Sequence, residues 1–82
     1  MEQHMLDRER LRLQRLKLRL TQQQLGQLIG QDQGYVSRLE RGEVTEITVR
    51  TLGRIADVLH VSTDYLLGRK DEESEVLPAA VA

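Results

Sequence analysis

Gln33, Gly34, Ser37, Arg38 and Arg41 fall within one nine-residue stretch, Gln33 to Arg41. Wound as a helix at about 100° per residue, they share one side over roughly 140°. A carboxamide can pair bidentately with adenine and a guanidinium with guanine in the major groove of duplex DNA. Gln33, and Arg38 about a turn and a half later, have the length to reach base edges. Gly34 would admit a base or a methyl group closely. The same residues would also make an ordinary solvated helix face, and this side alone does not separate the two readings. Thr21 and Gln22 stand where a preceding helix should begin. The unpaired N–H groups and partial positive charge of a helix start suit a phosphate, and the Gln22 amide adds a donor. Tyr35, Ser37 and Arg41 are further phosphate candidates, with Tyr35 partly in the core and Arg41 open between DNA and solvent.

These side chains need elements to hold them. Thr21-x-x-Gln24 fits a capping box. Leu25, Leu28 and Ile29 follow as an i, i+3, i+4 apolar face, and Gly30 stands where a left-handed stop is expected. Asp32 caps the next helix, Gln33 to Arg41, which Gly42 ends. Val36 and Leu39 point away from the polar side and dock this helix across the one before it. Gly26 lets the two approach closely. That geometry projects one helix outward.

Upstream, Leu6 to Leu20 alternates between apolar and charged residues over its last third, which is a strand signal. Its Leu, Arg, Lys and Gln content favours a helix instead. Leu6, Leu13, Leu16 and Leu20 are expected along one stripe, widened by Leu11 and Leu18. Downstream, Glu43 to Ile47 reads as a loop. Thr48 caps a fourth helix with Val49, Leu52, Ile55, Ala56 and Leu59 on one face, and His60 takes its C-terminal cap. Ser62 caps a short fifth helix, Thr63 to Leu67, closed by Gly68. The expectation is an all-α domain of five short helices over residues 1–68. Residues 69–82 read as an acidic tail without a core of its own. Within the tail, Val76-Leu77 after the acidic run could form a short protein-binding segment.

The 82 residues hold one domain at most. The absence of cysteine excludes a disulfide framework and thiolate metal sites. The net charge of −1 hides a basic first half and an acidic second half; one face meeting nucleic acid would give this asymmetry, and a solvated mixed-charge surface would give it as readily. No apolar run approaches the roughly 18 residues that cross a membrane. The charged N-terminal segment argues against a secretory signal, so a cytoplasmic protein is expected. His4 and His60 stand alone, without ligands at metal spacing. No nucleophile–base pair, phosphate loop or carboxylate pair suggests an enzyme, and no cofactor is implied.

Taken in order, Leu20-Thr21-Gln22, Gly30, Val36-Ser37-Arg38-Leu39-Glu40-Arg41-Gly42, Thr51-Leu52, Ile55-Ala56 and Val61-Ser62-x-x-Tyr65-Leu66-Leu67 resemble the phage-repressor, Cro and Xre type of helix-turn-helix domain. The resemblance spans residues 11–68. It implies a compact five-helix, lambda-repressor-like domain that binds double-stranded operator DNA as a homodimer. The third helix would read a near-palindrome, and repression is the expected outcome. It places base reading on Gln33, Gly34 and Arg38, with Ser37 adjacent, and backbone contacts on Gln22, Tyr35 and Arg50. It also implies a structural ion pair between Arg15 and Glu40. Small size and the resemblance together point to dimerisation, with Tyr65 and Leu67 as candidate contacts and Leu66 as core. An antitoxin or protein-interaction module using the tail to bind a partner is the alternative; restriction–modification controllers share the scaffold.

Several positions depart from the family pattern. Arg19 replaces a glycine between the first two helices, which suggests a tighter turn or a longer first helix. Gly26 replaces an alanine and costs about 1 kcal/mol of helix propensity. Ile47 replaces a proline. Glu43 and Glu46 occupy a loop that often carries cations toward phosphates.

Overall fold

The structure is a computed structural model that describes residues 5–44 and 46–69. Five helices follow one another: α1 (Arg8–Lys17), α2 (Gln22–Ile29), α3 (Gln33–Arg41), α4 (Val49–Leu59) and α5 (Thr63–Leu66). Each begins at a side chain able to cap it. Asp7, Thr21, Asp32, Thr48 and Ser62 all accept a hydrogen bond from a backbone N–H in the first turn, each cap contributing about 1 kcal/mol. At α2 the capping box is reciprocal: Thr21 N–H donates to Gln24 Oε1 at 2.8 Å, and Gln24 N–H donates to Thr21 Oγ1 at 3.0 Å.

The helix ends follow the same local logic. Gly30 and Gly42 adopt left-handed backbone at φ 77° and 80°. His60 closes α4 at φ 62°, the cap position expected of it. Of the two outcomes expected at Arg19, the longer first helix is not found. α1 does not lengthen: it stops at Lys17, and Arg19 itself takes φ 61°. The turn keeps the shape a glycine would give it, at a steric cost to the arginine.

The core gathers Leu11 of α1, Leu25 and Ile29 of α2, Val36 and Leu39 of α3, the inner face of α4 and Leu66 of α5. Ile47, where the family has proline, is also buried. Three sequence expectations need correction. In α1 the buried side is Leu11, Gln14 and Arg15, while Leu13 and Leu16 are turned out. The inward stripe does have i, i+3, i+4 spacing, but two of its members are polar. Gln14 earns its place through a bond from Nε2 to the Leu59 carbonyl at 3.0 Å. Leu28 of α2 and Val49 of α4 were expected on apolar faces and are exposed. Val49 is the first residue of its helix, and Leu28 is more than half exposed on α2.

The loop after α3 is tied back to the N-terminal segment by an isolated antiparallel bridge between Met5 and Glu46. No helix among the described residues is long and apolar enough to cross a membrane. Arg69 pairs with Asp64 at 3.7 Å. The rest of the acidic tail, with Val76 and Leu77, lies outside the described residues.

Candidate nucleic-acid interface

α2 and α3 pack on each other at Gly26. A Cβ there would come within 2.9 Å of the Gln31 carbonyl oxygen and 3.0 Å of Asp32 backbone atoms. The turn joining the helices is therefore folded directly onto α2, and only glycine leaves the space unstrained. On the inner side of α3, Val36 and Leu39 are fully buried. Two such aliphatic side chains contribute about 1.5–3 kcal/mol each, enough to fix the rotation of a nine-residue helix. The opposite side then has no choice of direction. It presents Gln33, Gly34 and Arg38 exposed, with Ser37 half-buried.

A chain of polar contacts runs from the interior to that face. Arg15 Nε and Nη2 donate to the two carboxylate oxygens of Glu40 at 2.6 and 3.0 Å. The Arg15 and Glu40 side chains are 9% and 4% exposed. Arg15 Nη1 also donates to the Leu20 carbonyl at 2.7 Å, tying down the turn before α2. Glu40 Oε1 accepts a second bond, from Gln22 Nε2 at 3.0 Å. Gln33 Nε2 in turn donates to Gln22 Oε1 at 3.4 Å. The Gln22 amide is thus oriented from both sides, and Gln33 is steered at the start of α3. A bidentate, nearly desolvated pair at the root of the chain holds its geometry without help from solvent.

The remaining expected residues fall into two groups. Arg38 lies across Gly34, its Nη1 3.3 Å from where a Cβ would stand. Burial pushes the Tyr35 hydroxyl above its usual range against an opposing pull from Arg38, so it stays a protonated donor at neutral pH. Thr21 caps α2, and Arg50 is exposed in the first turn of α4. Arg41, by contrast, is engaged within the chain. Its Nε and Nη2 donate to Glu43 at 3.0 and 3.2 Å, and Nη1 to Ser37 Oγ. The Arg41–Glu43 hydrogen bond, and the opposite charges of the pair, hold the Glu43 carboxyl below the usual carboxylate range and raise Arg41. Glu43 of the acidic loop therefore pairs with an exposed cation in the last turn of α3.

Tyr65 and Leu67 are half-buried against the core. The Tyr65 ring lies under the Arg10 guanidinium at 4.5 Å, so this face is already partly engaged within the monomer. Sequence reasoning did not single out Gln14 or Arg8 as structural. Arg8 Nη1 donates to the Arg41 carbonyl and crosses the site where a Gly42 Cβ would stand. The signal for Arg8 was the glycine, read only as a helix stop.

A helix-turn-helix family model matches residues 11–66. The P22 c2 repressor, solved with a synthetic operator in the presence of Tl+, is 37% identical with a TM-score of 0.73, over 79% of this chain and 97% of that one. The N-terminal DNA-binding domain of SinR from Bacillus subtilis is 28% identical with a TM-score of 0.71, over 79% and 94%. The SinR–SinI complex, at 24% identity and a TM-score of 0.69 over 90% and 74%, shows likeness of fold alone. No curated protein sequence matches the chain.

Proposed function

The chain belongs to the helix-turn-helix family of DNA-binding transcription regulators, and from that premise we propose that it is a homodimeric repressor of a near-palindromic operator. α3 enters the major groove. Gln33 and Arg38 read base edges as amide and guanidinium groups do, over a surface kept low by Gly34. Ser37 stands beside them. Gln22, at the start of α2, takes a phosphate together with the helix N-terminus, and Tyr35 and Arg50 extend the backbone contacts.

The observation that carries this reading is the hydrogen-bond chain from Glu40 through Gln22 to Gln33. A solvated polar face has no need of side chains pre-aimed from a buried ion pair. A reading surface does, because donors ordered in advance lose less entropy on binding. The P22 c2 repressor, which shares the fold and was solved on operator DNA, supports the same assignment.

A dimer places two copies of α3 about one helical turn apart on one side of the duplex. Selection of bound sequences from a random duplex pool tests the whole proposal. The expected result is a half-site repeated with inverted symmetry and binding that weakens steeply with salt. Recovery of no preferred sequence, or of a single unrepeated half-site, would overturn the operator and dimer assignments respectively.

A further inference from the structure

Leu13 and Leu16 on the outer face of α1 are 51% and 47% exposed. Three residues apart, they are neighbours on the helix surface. Arg12 and Lys17 flank them and are exposed, whereas Arg15 of the same helix turns inward to Glu40. This patch is remote in sequence from the reading face, and the DNA-binding role does not use it.

The described chain ends beside the start of this same helix. Asp7 N–H donates to the Leu66 carbonyl at 2.8 Å, and a Cβ on Gly68 would lie 3.7 Å from Asp7 Oδ2. Arg10 reaches across to the Tyr65 carbonyl at 2.9 Å. The chain that continues past Arg69 therefore starts at the N-terminal end of α1. Its sequence there is Lys-Asp-Glu-Glu-Ser-Glu-Val-Leu, residues 70–77: four acids in five residues, then two aliphatics.

We infer that residues 71–77 of the same chain dock along the outer face of α1. Val76 and Leu77 cover Leu13 and Leu16, and the acidic run lies against the exposed cations of α1, Arg12 and Lys17 among them. The reach is ample. Leu13 and Leu16 stand about 9 and 13 Å along the helix from Asp7, while eight extended residues span about 26 Å. Charge complementarity favours this occupant: another copy of the cationic face would meet repulsion, whereas the tail brings opposite charge. Size favours it too. Two leucines fall far short of the roughly 1,000 Å² that a specific interface between separate molecules needs. A tethered segment docks on less because its effective concentration is high.

The absence of cysteine makes a clean test available in the full chain. Ala79→Cys carries a single nitroxide label, and amide signals are recorded on nitrogen-15-labelled protein. Selective loss of the α1 amides around residues 12–17 is expected, reversed by adding Val76→Ser and Leu77→Ser and weakened by high salt. Broadening spread evenly over the surface would overturn the inference, because the segment then has no seat. Loss concentrated on α2 and α3 would overturn it in favour of a tail that competes with DNA. Mixing labelled and isotopically enriched chains gives the last outcome: loss transferred between molecules would assign the patch to a second copy and not to the chain's own tail.

Discussion

Removing Arg15 should cost this small protein much of its stability, although Arg15 touches no proposed DNA contact. Arg15→Ala strands the Glu40 carboxylate, whose side chain is 4% exposed in the intact fold, with the Gln22 amide as the donor left to it among the described residues. Breaking a buried pair from one side costs about 3–5 kcal/mol, since the surviving charge is stranded. A chain of this length has about 4–12 kcal/mol in total. At about 4–8 °C per kcal/mol, Tm should fall by at least about 12 °C. Thermal and urea unfolding followed by circular dichroism measure both. The double variant Arg15→Met with Glu40→Leu removes both charges and keeps the volume, so most of the loss should return. A cost for Arg15→Ala below about 1 kcal/mol, as for a surface pair, would refute the reasoning. So would a double variant no more stable than the single one. The rescued double variant also separates stability from binding. It folds but no longer anchors Gln22, and its affinity for every duplex should be lower than that of the unaltered chain.

Other substitutions test other links. Arg38→Ala should lose about 1–3 kcal/mol of discrimination at one base position in a binding-site selection, whereas Gln22→Ala should weaken all sequences alike. Glu43→Gln releases Arg41 and removes a negative charge from the end of the helix proposed to enter the groove. Affinity for all duplexes should rise, and the salt dependence should steepen by about one contact in a salt titration. Because Arg41 lowers the folded-state pKa of Glu43, the pair's contribution to stability is present above the ordinary carboxylate range. It is lost as pH falls through the lowered value, leaving neutral pH untouched. Arg19→Gly removes left-handed strain of about 1–2 kcal/mol and adds about 0.4–1 kcal/mol of unfolded-state entropy, so a small rise in Tm is expected. Gly26→Ala gains about 1 kcal/mol of helix propensity, but its Cβ meets backbone at 2.9 Å. Overpacking of about 1–3 kcal/mol should prevail, and the urea midpoint should fall.

Helix positions were legible in the sequence because their signals are local. Thr21, Asp32, Thr48 and Ser62 cap the helices they were expected to cap, and Gly30, Gly42 and His60 end them as read. The α2–α3 packing was legible for a related reason: Gly26, Val36 and Leu39 leave few ways to pair the two helices. The orientation of α1 was not. Counting leucines turned Leu13 and Leu16 inward, whereas partners 25 and 45 residues away bury Arg15 and Gln14. Such contacts leave no periodic trace. Leu28 and Val49 failed similarly, since a helix face predicts burial only where a neighbour exists to cover it. The Arg15–Glu40 pair came from family likeness, and the two side chains meet at 2.6 Å in the fold. The Gln22–Gln33 contact, and the engagement of Arg41 by Glu43, depend on side-chain placement across a turn or loop. Composition does not encode that placement.

The chain of contacts from Arg15 to Gln33 also bears on how such a domain can be re-engineered. Altering target preference by transplanting the outward residues of one reading helix onto another treats that face as a detachable module. Here it is not detachable. A replacement at residue 33 inherits a neighbour, Gln22, whose orientation Glu40 has already set. A side chain that cannot share hydrogen bonds with an amide will disturb the proposed phosphate contact along with the proposed base contact. Successful grafts onto this scaffold should therefore carry residues 22 and 33 together. In a genetic screen, the two positions should yield compensating pairs of changes more readily than single ones.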